Sequence, residues 1–129
     1  MALAAGRRRG AANLRAALER ARTGSSSRKE THMRLILVDG GLAEPVLDHD
    51  VFGPHGFVGC LDAAYPAQRV GVEYEGDGHL TRRQLQRDID KYEALAALGW
   101  HVVRLTSHHV DTVPGEAVRR VRTALHVRR

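Results

Sequence analysis

The chain has a single cysteine, Cys60, and only six aromatic residues: one Trp, three Tyr and two Phe. One cysteine excludes an internal disulfide and any zinc site built from several thiolates, and it suits a reducing, cytoplasmic setting. No apolar run approaches the roughly 18 residues that a membrane-spanning helix requires, so no membrane partner is expected. The Arg-rich opening "MALAAGRRRGAANLRAAL" lacks the continuous apolar stretch of a secretory signal and reads as part of the protein. Internal repeats are absent too. What is there is an ordinary globular composition, 43% apolar and 27% charged over 129 residues. That is enough for one domain around one core.

The net charge of +5 is unevenly spread: +6 over residues 1–30, −5 over 31–75 and +4 over 76–129. An acidic middle between basic ends suits a site that binds cations while its rim attracts a polyanion. Solvated helix faces would give the same pattern.

Periodicity divides the chain into a basic N-terminal helix and linker (1–27) and a folded domain (28–129). A helix is expected over 11–21, where Leu14, Leu18 and Ala21 form one stripe, followed by a serine-rich link at 23–28. A second helix, 28–38, presents Met33, Ile36 and Leu37 and stops at Gly40–Gly41. Three strand-like runs follow at 45–52, 57–65 and 69–75, the last two joined by a short turn at "PAQ". A long helix over 81–98 carries Leu85, Ile89, Tyr92 and Ala96 as its expected apolar stripe. A short, largely apolar strand at 100–106 reads as interior, and a last helix spans 115–127. The order is α-α-β-β-β-α-β-α, an α/β fold with a mixed sheet and helices packed on it.

The segment "VGVEYEGDGH" (70–79) places Glu73, Glu75, Asp77 and His79 close together. Alternation puts Val70, Val72 and Tyr74 on one strand face and Gly71, Glu73 and Glu75 on the other. In the preceding strand Leu61, Ala63 and Tyr65 form the apolar set, with Asp62 opposite. Matching the apolar faces across a hairpin pairs Leu61 with Tyr74, Ala63 with Val72 and Tyr65 with Val70, which sets Asp62 against Glu73. Like charges across a ladder are destabilising unless a cation, a basic neighbour or a shared proton compensates them. Magnesium fits such a place, because it accepts one or two carboxylates and completes its shell with water and phosphate oxygens. A solvent-facing acidic strand offset by arginines is the competing reading.

Asp62, ten residues, Glu73-x-Glu75, the Gly-Asp-Gly-His turn, the Arg87-Asp88 pair and Leu98-Gly99-Trp100 occur in an order that resembles the restriction-endonuclease-like (PD-(D/E)xK) nucleases. More narrowly, residues 25–129 are similar to small bacterial proteins related to the very-short-patch-repair endonucleases. The resemblance implies a three-layer restriction-endonuclease-like fold and a Mg²⁺-dependent DNA endonuclease, with Mn²⁺ as a substitute ion and 5′-phosphate products. It implies Asp62 as the central metal ligand and Glu73 as the second acidic position. Glu75 stands where the wider superfamily has lysine. His79 becomes the candidate general base, with Glu75 the other catalytic candidate beside the attacking water, Glu30 the helix glutamate facing the metal site, and Lys91 a partial replacement for the missing lysine that is also expected to contact nucleic acid. Arg82, Arg83 and Arg87 are expected on the DNA backbone. Mismatch recognition does not carry over, since the zinc ligands and wedge aromatics of those relatives are missing. The missing lysine sustains an alternative: a catalytically silent nucleic-acid-binding module on the same fold, part of a toxin–antitoxin or regulatory system.

Overall fold

The computed structural model describes residues 27–76 and 80–128. The expected helix at 11–21, most of the serine-rich link, and Asp77 and His79 lie outside the described residues. Helix α1 (Ser27–Asp39) leads into β1 (Val46–Gly53), β2 (Gly56–Tyr65) and β3 (Val70–Glu75). Helix α2 (Arg82–Ala97), strand β4 (His101–Thr106), a π-helical turn (His108–Thr112) and helix α3 (Pro114–Val127) complete the order. The four strands form one open mixed sheet in the order β1-β2-β3-β4, antiparallel except for the parallel β3–β4 pair.

Two apolar layers enclose the sheet. On one face Met33 and Leu37 of α1 and Ala117, Val121 and Ala124 of α3 pack against Ala63, Tyr65, Val70, Val72, Val103 and Leu105. On the other, Leu95 of α2 packs with Val51, Leu61 and Ala64, bordered by Tyr92, Leu98, Trp100 and Val102. Burying a side chain such as Leu37 or Met33 contributes about 1.5–3 kcal/mol each. The chain is thus α/β, with helices on both faces of a four-stranded sheet.

The β2–β3 hairpin has the expected register, with Tyr65 opposite Val70 and Ala63 opposite Val72. Its turn closes through Arg69, whose φ of 55° lies in the left-handed region and whose N–H donates to the Pro66 carbonyl.

Three expectations need correction. Leu61 does not share a face with Ala63 and Tyr65: it packs in the α2 layer, over Gly71. A Cβ at Gly71 would stand 2.7 Å from Leu61 Cδ1, so the missing side chain provides the space Leu61 fills. Across the β1–β2 ladder, Leu47 and His49 flank Asp48, whose φ is 51°. Leu47 packs in the α1–α3 layer, whereas the His49 ring lies 5.5 Å from that of Trp100 on the other side. Both strands therefore switch faces at the Asp48–Asp62 row.

The α2 stripe is the second correction. Leu85 and Ile89 are exposed, at 50% and 43%, and the face turned to the sheet holds Leu95, Tyr92, Lys91, Asp88 and Gln84. Polar residues face inward there because Lys91 bonds to β2 and β3 and Asp88 approaches Arg104 of β4, as described below. Third, β4 is an edge strand among the described residues, not an interior one. Its burial alternates, with Val103 and Leu105 buried in the α1–α3 layer and Arg104 and Thr106 exposed on the other side.

Candidate functional site

The β2–β3 ladder stops at Ala63 and Val72, although both strands continue past it. Beyond that point the strands are joined through carboxylates. The Asp62 N–H donates to Glu73 Oε2 at 3.1 Å, and the Tyr74 N–H donates to Asp62 Oδ2 at 2.8 Å. The face switch at Asp62 is what turns its carboxylate back toward β3.

Asp62 and Glu73 are both buried, at 7% and 6% exposure, and Glu30 of α1 is buried at 3%. Burial, and next the charge of Glu73, push the Asp62 carboxyl up to about 8; the Tyr74 N–H opposes this and Glu30 adds to it. Burial and the neighbouring charge thus favour the protonated form of Asp62, and a divalent cation held there would compete with that proton.

Lys91 supplies the basic neighbour. Its Nζ donates to Glu73 Oε1 at 2.5 Å and to the Cys60 carbonyl at 3.0 Å, and the Tyr92 hydroxyl lies 3.4 Å from the same Glu73 oxygen. The lysine stem passes over Gly59, where a Cβ would stand 3.0 Å from Cε. Thr81 starts α2 with a capping box: its hydroxyl accepts from the Gln84 N–H at 3.1 Å, and Gln84 Oε1 accepts from the Thr81 N–H at 2.8 Å. That cap sets the phase that aims Asp88 and Lys91 at the sheet.

Glu75 lies apart from this pair. Its Oε1 accepts from Arg104 Nε of β4 at 2.5 Å, and Arg104 Nη2 stands 4.0 Å from Asp88 Oδ2. The guanidinium carbon lies 4.5 Å from the centre of the Tyr92 ring, whose hydroxyl pKa is driven strongly upward by burial and by Glu73.

The structure thus brings Asp62, Glu73 and Lys91 together at the fork and sets Glu75 beside it against Arg104, while Glu30 is buried on α1 and acts on Asp62 through its charge. Arg82, Arg83 and Arg87 are exposed on α2. Asp88 approaches Arg104, and no ion pair joins it to Arg87 among the described residues. Sequence reasoning missed Arg104 and Tyr92. The signal for Arg104 was present: it is the one charged residue between the apolar pairs of "HVVRLT", beside Glu73 once β4 lies parallel to β3.

No group of three or more His, Cys, Asp or Glu residues is gathered to hold a metal ion among the described residues. Two buried carboxylates fit magnesium, which retains waters and recruits substrate oxygens. No described helix is long and apolar enough to cross a membrane.

Two uncharacterized proteins of Mycobacterium tuberculosis, from strains CDC 1551 / Oshkosh and ATCC 25618 / H37Rv, are similar to this chain. Each is 32% identical over 115 residues, covering 88% of this chain but 42% of the relative. The chain therefore spans less than half the length of the curated relatives it matches. No family model matches the chain, and no solved structure does.

Proposed function

We propose that the protein is a Mg²⁺-dependent DNA endonuclease of the restriction-endonuclease-like kind, hydrolysing phosphodiester bonds. The observation that carries this reading is the strand fork, where buried Asp62 and Glu73 replace a regular ladder and are joined by a lysine from α2. Such an arrangement costs stability unless protons, a basic partner or an arriving cation balance it, and sites of this kind cluster where function needs them.

Asp62 and Glu73 would hold the ion. Bound there, magnesium would supply Lewis-acid polarisation of a phosphate oxygen and lower the pKa of a bound water. Glu75 occupies the strand position of the superfamily lysine, and Lys91, which meets Glu73 from the helix side, would take that lysine's part. Its ammonium is placed to hold an attacking water or stabilise charge on the phosphorus centre. Exposed Arg82, Arg83 and Arg87 suit backbone phosphates, giving salt-dependent affinity without sequence choice.

One observation favours the silent binding module instead: both cations at the site, Lys91 and Arg104, are already paired with carboxylates. The two readings separate in a nicking assay on supercoiled DNA with Mg²⁺, Mn²⁺ or EDTA. The nuclease reading expects metal-dependent nicking that Asp62→Asn reduces by roughly three orders of magnitude while DNA binding persists. Salt-sensitive binding without nicking under any metal would sink it in favour of the module.

A further inference from the structure

Arg104 and Lys91 are the two cations at the site, and they differ in access. The Lys91 side chain is 22% exposed and locked on Glu73 and a backbone carbonyl; that of Arg104 is 44% exposed and bonded to the rim carboxylate Glu75. Strand pairing sets Arg104 beside Glu73, and Thr106 beside Glu75. The guanidinium gives Nε to Glu75 and turns Nη2 toward Asp88 at 4.0 Å. The ring of Tyr92 lies beneath it and supports it whichever anion it binds. A guanidinium fork matches a phosphate as well as it matches a carboxylate. An ion pair this open to water is weak enough to be exchanged.

We propose that Arg104 is an exchangeable anion clamp, held by Glu75 when the site is empty and by a phosphodiester oxygen of the DNA backbone when substrate arrives. This rests on the reading of DNA as the ligand. The exchange makes and breaks only ion pairs. It frees Glu75, two residues along β3 from Glu73 and facing α2 like it, to offer its carboxylate to the cation at the fork. Substrate and metal then favour each other's binding.

The test is a double-mutant cycle on duplex DNA affinity measured in EDTA, so that it needs neither metal nor cleavage. Glu75→Gln should tighten wild-type binding roughly fivefold by releasing Arg104. In an Arg104→Gln background the same change should give no gain. An equal gain in both backgrounds is a bare charge effect and overturns the clamp while leaving the DNA reading standing. Absence of DNA binding by the wild-type protein overturns the reading itself, and the clamp with it. Should Arg104→Gln fail to fold, the Nε–H resonance of Arg104 in the wild-type protein reports directly. It should shift when a short duplex is added in EDTA, and a resonance that stays put while DNA binds overturns the clamp.

Discussion

At its closed end the β2–β3 hairpin pairs Tyr65 with Val70 and Ala63 with Val72, all buried among apolar side chains of α1 and α3. One residue further along, the same strands carry Asp62 and Glu73, equally buried, and are bridged by carboxylates and a lysine. The two ends share a burial and differ in what that burial costs. Removing apolar surface from water stabilises the closed end whatever the pH or salt. At the open end burial is opposed by desolvation of charge, and it is tolerable only while protons, Lys91 or a cation balance it. A folded chain thus holds an interior region whose stability depends on solution conditions beside one whose stability does not.

The largest way to break the comparison is pH. The folded Asp62 carboxyl keeps its proton up to about 8, against an ordinary value of 3.8. Between those values the folded state binds one more proton than the unfolded state. Stability is therefore fully present below 3.8 and is lost as pH rises toward 8, at up to about 1.4 kcal/mol per pH unit. Denaturant melts in EDTA at pH 5, 6 and 7 should show this fall, and Asp62→Asn should flatten it. A flat wild-type profile would mean that the carboxyl is ionised in the fold.

Lys91→Met comes next. It leaves Glu73 buried without its ammonium partner and should cost about 3 kcal/mol in EDTA. Adding Glu73→Gln should recover much of that loss, as should millimolar Mg²⁺ if the fork holds the ion. Val72→Ala, at the closed end, should cost about 2 kcal/mol, and unlike the fork variants its cost should be the same at every pH and Mg²⁺ concentration. The smallest effect is expected from Leu85→Ala, below about 0.5 kcal/mol, because that side chain stands outside the core. A loss of 2 kcal/mol there would show that another surface covers it.

The same contrast explains what the sequence disclosed. Apolar alternation was enough for the hairpin register, because a one-residue slip would expose Val70 and Val72 together. It also brought Asp62 to Glu73. It could not reveal that Leu61 changes faces, since that depends on Asp48 adopting a left-handed backbone in the neighbouring strand and on the space above Gly71. In α2, periodicity selected Leu85 and Ile89 on hydrophobicity, whereas the inward face is set by polar groups with partners on other elements. Those partners are remote in the chain: Lys91 lies 18 residues from Glu73, and Arg104 lies 29 from Glu75. Arg104 looked like an ordinary strand residue until parallel pairing set it among carboxylates.

The capping box at Thr81 makes α2 a ruler. With its start pinned, the count of residues from Thr81 determines which side chain arrives above Glu73, and each residue advances the helix by about 100°. A single inserted residue between Gln84 and Lys91 would carry the ammonium a quarter-turn away from the fork. Substitutions along the outer surface of α2 leave that arithmetic intact. The outer face of this stretch can therefore change its letters while the stretch keeps its length, a signature of indel intolerance in a helix whose exposed side chains are replaceable.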